Sequence, residues 1–336
     1  MRTLLPRRPI QMRFAAIWFA LIALLILSAI IAPRSLLPSS ILAIIPFAAF
    51  LAIASMGESL VLMARGIDLS VPAIITLSST VILGVSAGSD GGLLPAVILA
   101  LVLSVAVGAL SGTLVAVFKL NPLVVTLAVG TILTGGTLWY RQGIAQESRV
   151  PPLLADLGEA RILGLNFSVW AAIVLVVLLA AVLLHTSLGR RFIAVGANPR
   201  AAMIAGLGVA RYQIGAYASA AFLYGVTGIL LSAFIRNPTL DVGAPYLLAP
   251  IAAAVLAGTA ITGGIGSMVA VAGAALFLTQ LGQVLKILGL STAVQFMING
   301  GAIAVGMGLA SLQIAAVRET GARWLGRSFM RRLKPS

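Results

Sequence analysis

Of the eight carboxylates in the chain, two stand where apolar sequence barely pauses. Glu58 lies between Gly57 and Ser59 in the middle of a long hydrophobic run. Asp68 follows in the segment Arg65-Gly66-Ile67-Asp68-Leu69-Ser70-Val71-Pro72. A charge without a partner in such surroundings is costly, so an acid there is a candidate for proton relay or ion coupling unless a structural partner accounts for it. Asp68 has two structural tasks open to it. It can pair with Arg65 three residues earlier if the segment is helical. Alternatively, Asp68 or Ser70 can cap a helix beginning at Val71, with Pro72 in its first turn. We take a structural task over proton relay for Asp68. Glu58 is the more exposed anomaly, although a polar contact between helices would also satisfy it.

A second cluster is basic. Between Thr186 and Gln213 the chain carries Arg190, Arg191, Arg200 and Arg211 and no acid. Gly196, Asn198 and Pro199 predict a turn, followed by a short helix over about Arg200 to Leu207. That helix is rich in small residues (Ala201, Ala202, Ala205), with Gly206 and Gly208 as C-terminal caps. A capped helix of this kind can dock a soluble partner; the same stretch also reads as a basic loop that only orients the protein. Candidates for a polar path through the apolar sequence are Asn121, Gln280, Gln295 and Asn299, each also suited to a hydrogen bond between helices.

Several chemistries are excluded. There is no cysteine, hence no disulfide or thiolate metal site, and the single histidine, His185, has no second histidine as co-ligand. No Walker-type phosphate loop, zinc-protease motif or nucleophile elbow occurs, and the scattered acids form no paired-carboxylate site. The chain is therefore neither an evident enzyme nor able to hydrolyse ATP itself, and no metal or cofactor of its own is expected.

The elements that must position these residues follow from composition. Hydrophobic residues make up 60% of the 336 positions and charged residues only 9%, where soluble domains run near 25% charged. The apolar runs are of helix length, which predicts an all-α polytopic membrane bundle and excludes a barrel. We place spans at about 14–32, 41–63, 70–87, 93–118, 122–140, 167–185, 213–235, 247–262, 267–288 and 293–316, about ten in all. The first, behind Arg2, Arg7, Arg8 and Arg13, is read as a retained helix because no convincing cleavage site precedes Pro33. The net charge of +14 is not a nucleic-acid signal, because the basic residues lie almost wholly in loops and tails. With the N-terminus inside, 16 of the 22 basic residues fall on the cytoplasmic side. Both termini and the 186–212 loop are thereby predicted cytoplasmic. One transmembrane domain is expected over 1–336, with basic tails at 1–13 and 317–336. The longest outer segment, Arg141–Asn166, mixes charge signs and predicts an ordered cap.

The two halves are weakly similar. Arg65–Ser70 is echoed by Gly263-Gly264-Ile265-Gly266-Ser267, and Asn121–Thr126 by Leu290–Gln295. Repeated halves with Gly-interrupted segments mark transporters. Small residues spaced as in Gly108-x-x-x-Gly112 allow close helix packing.

Four segments carry a family resemblance. Gly66-Ile67-Asp68-Leu69-Ser70-Val71, Lys119–Leu127, Gly196-Ala197-Asn198-Pro199-Arg200-Ala201-Ala202 with Ala205-Gly206, and Leu256–Thr259 through Gly263–Ser267 resemble the permease subunits of bacterial ribose/xylose-type ABC importers. The similarity is collinear from about residue 40 to 316. It implies an inner-membrane, non-catalytic subunit that translocates a monosaccharide or sugar-like solute. The implied partners are a second permease (identical or homologous), two ABC ATPase subunits that bind the ATP and Mg, a periplasmic sugar-binding protein and the lipid bilayer. It also implies that Gly196, Asn198, Pro199, Arg200, Ala201, Ala202, Ala205 and Gly206 belong to a coupling helix. Bulky residues at Gly196 or Ala201 are then expected to uncouple transport in a protein that still folds. The chain departs from many relatives in having Arg65 before Gly66-Ile67-Asp68, where they carry glycine, and Pro72-Ala73 where they carry Gly-Ser. A branched-chain amino acid ABC permease is the nearest rival. An ion-coupled transporter acting alone would use Glu58 and Asp68 as its coupling pair.

Overall fold

The computed structural model describes residues 8–145, 148–291, 293–295, 297–298 and 300–301. Its long helices are α1 (Arg8–Ile31), α2 (Pro38–Met63), α4 (Leu93–Ala116), α5 (Pro122–Arg141), α7 (Phe167–His185), α10 (Val209–Ile235) and α12 (Met268–Ile287). Shorter ones are α3 (Val71–Ser86), α6 (Pro152–Glu159), α8 (Ser187–Ala197), α9 (Pro199–Ile204) and α11 (Ala249–Leu256). Among the described residues, seven helices are long and apolar enough to cross a membrane.

The sequence led us to expect about ten such spans. The third is instead a 16-residue helix, α3, about 24 Å long at 1.5 Å per residue and short of a 30 Å hydrocarbon core. The eighth reduces to α11 and the single 3₁₀ turn before it (Ala244–Tyr246). Hydropathy runs on through 64–70 and 257–267, but the backbone there leaves the helix through positive φ at Arg65, Gly258, Gly263 and Gly264. The tenth span, apart from its first few positions, lies outside the described residues.

The core is built on α2 and α10. From Ala48 to Met63, α2 is buried on all sides, and α10 packs against α2, α3 and α4. Glycines set how closely they approach. A Cβ at Gly108 of α4 would land on the Tyr217 carbonyl, and one at Gly112 would lie 2.8 Å from the Ile214 Cα. The Gly108-x-x-x-Gly112 spacing therefore does what small-residue stripes do where lipid supplies no hydrophobic drive between helices. On the α2 side of α10, a Cβ at Gly57 would lie 3.1 Å from the Ala220 oxygen.

One end of the bundle is tied together by the segment expected to be an ordered cap. There α6 is followed by a two-stranded antiparallel hairpin, β1 (Arg161–Ile162) and β2 (Leu165–Asn166), in the register Arg161 to Asn166 and Ile162 to Leu165. Its two-residue turn takes positive φ at both Leu163 and Gly164, as a tight hairpin turn requires. The Val150 N–H donates to the Arg236 carbonyl at 3.0 Å and the Leu153 N–H to Asp90 Oδ1 at 2.9 Å. Arg236 pairs with Glu159 at 2.6 Å. A cavity of about 430 Å³ opens here, lined in part by Leu42, Pro46, Glu159, Arg161, Asn166 and Phe234.

Candidate functional site

At the opposite end, three chain segments close on one another. Helix α2 ends with Ala64 and leaves through Arg65 in the left-handed region (φ 67°). The Gly66 N–H donates to the Val61 carbonyl at 2.9 Å and the Arg65 N–H to the Leu62 carbonyl at 2.9 Å. This is the double-bonded helix stop that ordinarily places glycine at the left-handed position. An arginine there costs about 1–2 kcal/mol in backbone strain, and its side chain provides the offset. Arg65 Nε donates to the Gly196 carbonyl and Nη2 to the Ala197 carbonyl, both at 2.7 Å. These are carbonyls of the last turn of α8, which lack intrahelical partners and favour a cation. Arg65 therefore caps a helix far along the chain. It does not pair with Asp68, correcting one of the two tasks the sequence offered that acid.

The third segment is the Gly263-Gly264 turn. The Gly264 N–H donates to the Met63 carbonyl at 2.9 Å, and Ser59 Oγ and Thr259 Oγ1 share a hydrogen bond of 2.9 Å. The two segments that echo each other in sequence thus meet around the end of α2.

Beyond Gly66 the chain doubles back into the bundle. The Asp68 N–H donates to Glu58 Oε1 at 3.3 Å, and the Tyr224 hydroxyl donates to Glu58 Oε2 at 3.1 Å. The Ser70 N–H and Oγ both donate to Asp68 Oδ1, at 2.8 and 2.6 Å. Asp68 thus orders the turn that leads into α3, in place of the cap expected of it or of Ser70: Ser70 is the N-cap residue, with helical backbone angles and no side-chain cap bond. The Leu69 N–H donates to Thr126 Oγ1 at 3.0 Å, and the Tyr217 hydroxyl donates to the Ile67 carbonyl at 3.4 Å. Glu58 and Asp68 are both 0% exposed. Among the described residues no salt bridge reaches either carboxylate, and Asp68 Oδ2 has no hydrogen-bond partner. Asp68→Ala removes the acceptor of both Ser70 bonds, each hydrogen bond being worth about 0.5–1.5 kcal/mol. The expected outcome is a lower yield of monodisperse protein on size exclusion, with Asp68→Asn closer to wild type. Equal yields for the alanine variant and wild type would remove this role.

The basic stretch is more ordered than expected. Residues read as a loop up to Pro199 form α8, started by Thr186, whose Oγ1 accepts from the Gly189 N–H at 3.1 Å. Gly196 is inside that helix and not in a turn; the break falls at Asn198. Gly189, Phe192, Val195 and Gly196 give α8 a buried face at helical spacing, which the arginines between them mask. Asn198 Oδ1 accepts from the Ala201 N–H at 3.1 Å, and Pro199 occupies the first turn of α9. The helix stops at Ile204, three residues short of the expected end. The Leu207 N–H donates to the Ala202 carbonyl at 3.0 Å across Gly206, whose φ is 79°. Ala202 is buried; Arg190, Arg191, Arg200, Arg211, Ala201 and Ala205 are exposed, and Met203 and Ile204 are 65% and 88% exposed. The unit presents a cationic surface with an apolar tip.

The path candidates do not converge. Asn121 caps α5, its Oδ1 accepting from the Leu123 N–H at 2.9 Å. Gln280 donates from Nε2 to Ser35 Oγ at 3.3 Å, and Gln295 donates from Nε2 to the Leu290 carbonyl at 2.8 Å. Asn299 lies outside the described residues. Tyr217 and Tyr224 were missed, and only their place in an otherwise apolar span marked them.

Long apolar helices, short helices joined to unwound backbone and buried carboxylates define a polytopic membrane protein of the transporter kind. The chain belongs to the family described as branched-chain amino acid transport system permease component, whose model matches residues 40–325. The ribose import permease protein RbsC of Escherichia coli K12 is 33% identical over 288 residues, covering 83% of this chain and 89% of that one. RbsC of Bacillus subtilis 168 is 31% identical over 289 residues (84% and 88%). The autoinducer 2 import system permease protein LsrC of Shigella flexneri is 32% identical over 244 residues (72% and 70%). No solved structure matches the chain. The protein is an ABC transporter permease of the bacterial inner membrane.

Proposed function

We propose that this permease imports a monosaccharide or sugar-like solute handed over by a periplasmic binding protein, alongside a second permease copy or homologue. Two separate ABC ATPase subunits, which hold the ATP and Mg, dock on the α8–α9 unit from the cytoplasm. The observation that carries the reading is the form of that unit. It buries Phe192, Val195 and Ala202 toward the membrane helices while exposing its arginines and the Met203–Ile204 tip. A loop that served only to orient the chain needs no two capped helices and no buried face. Solute class rests on relatives whose names specify ribose import and autoinducer 2 import. In this reading both termini are cytoplasmic and the α6–hairpin end faces the binding protein.

Affinity purification of the tagged chain from native membranes in mild detergent should recover an ATPase with Walker motifs. In the reconstituted assembly, Ala201→Trp should leave insertion unchanged, because Ala201 is exposed, and lower solute moved per ATP. Wild-type coupling in that variant would count against α9 as the docking element. Transport by the purified chain alone, without ATP, would favour the ion-coupled alternative built on Glu58 and Asp68.

A further inference from the structure

We propose that Arg65 is a positioning residue that carries movement of the α8–α9 unit into the Gly66–Ser70 segment and its carboxylates. The inference rests on the proposed docking of the ATPase subunits on α8–α9, which supplies the movement; the route is drawn from the geometry. Two donors of one planar guanidinium hold two successive carbonyls at the end of α8. A rigid fork fixes orientation as well as distance, so the end of α8 cannot turn without taking Arg65 with it. Slippage beside the fork is blocked, because a Cβ at Gly196 would lie 2.7 Å from the Gly264 nitrogen, itself bonded to the Met63 carbonyl.

The stretch immediately after Arg65 is poised to respond. Three successive N–H groups, of Asp68, Leu69 and Ser70, are held by side chains, those of Glu58, Thr126 and Asp68 respectively. Two of those holders sit on α2 and α5, so a shift of Arg65 lengthens these bonds before it disturbs a helix ladder. The feature belongs to this chain's own residue. A glycine at position 65 makes the same left-handed turn without strain but has no side chain to reach α8.

The test is hydrogen exchange by mass spectrometry on the full chain with its copurified ATPase in phosphatidylethanolamine/phosphatidylglycerol nanodiscs. Exchange is measured with and without ATP, Mg and orthovanadate. In wild type, trapping should change exchange in α8–α9 and accelerate it in 66–70 by roughly fivefold or more, the lower end of coupling between distinct sites. Arg65→Gly should keep the α8–α9 response and lose most of the 66–70 response, and Arg65→Lys, reaching one carbonyl, should fall between. A 66–70 response in Arg65→Gly equal to wild type overturns the proposal. So does a wild-type response confined to α8–α9, which leaves the docking reading standing. No response in either segment of wild type overturns the docking of the ATPase on α8–α9 and the linkage with it.

Discussion

Valine at Gly196 is expected to abolish the accumulation of folded protein, a larger effect than loss of coupling. A Cβ built on Gly196 lands on the Met63 carbonyl oxygen and comes within 2.7 and 3.0 Å of the Gly264 nitrogen and Cα. All three are backbone atoms, and two of them are already bonded to each other. No side-chain rotation relieves the overlap, so α8 must lift away and release both Arg65 hydrogen bonds. Overpacking alone costs about 1–3 kcal/mol, and each released bond to the guanidinium adds roughly 1.5–3 kcal/mol. That is a large share of the usual 5–15 kcal/mol stability of a native protein. Size exclusion in detergent should show little monodisperse material. In what remains, trypsin should cut at Arg190, Arg191 and Arg200 faster than in wild type. A variant with wild-type yield and wild-type digestion would disprove the close packing described for this junction. The sequence-based expectation that bulk at Gly196 uncouples a folded protein therefore passes to Ala201, which is exposed.

Glu58→Ala should produce the second large loss. The substitution strips the acceptor from the Tyr224 hydroxyl and from the Asp68 N–H, in a site with no access to water. Each orphaned group costs about 1–3 kcal/mol, and the vacated carboxyl and Cγ methylene add a cavity that buried α2 cannot collapse. Asp68 keeps its Ser70 donors but loses the anchor of its own backbone. Glu58→Gln keeps the side-chain shape and its hydrogen-bonding groups. Its amide oxygen can accept from Asp68, and its NH₂ can donate to Tyr224, whose hydroxyl serves as either donor or acceptor. The glutamine variant should melt near wild type in a detergent-solubilised thermal assay, with the alanine variant well below both. Coincident melting of all three would show that the carboxylate network contributes nothing to stability.

Legibility in the sequence followed the distance between partners. Asn198, Pro199 and Gly206 could be read as the start and stop of α9 because caps act within a few residues. The GIDLSV stretch stood out as a charged interruption, and the close approach at Gly108 and Gly112 was visible in their spacing. Arg65 could not be assigned correctly, because the carbonyls it serves lie 131 and 132 residues further on. Local spacing pointed to Asp68 instead. Helix α8 escaped because its buried face includes two glycines, which carry little hydrophobic signal. The short α3 and α11 escaped for a different reason. Hydropathy registers which side chains are apolar and is blind to a backbone that turns back while its side chains stay so.

Of those two, α3 bears on how the chain enters its membrane. A helix of about 24 Å flanked by an unwound stretch is a poor independent passenger, because its free N–H and C=O groups meet hydrocarbon until something answers them. For the stretch before α3 the answering groups include Thr126 and Tyr217, 57 and 150 residues downstream of their partners Leu69 and Ile67. Biogenesis of this permease therefore cannot proceed as a strict succession of independently stable hairpins. Early in synthesis the Gly66–Ser70 stretch must stay at the interface or in the care of the insertion machinery, and it settles only when α5 and then α10 arrive.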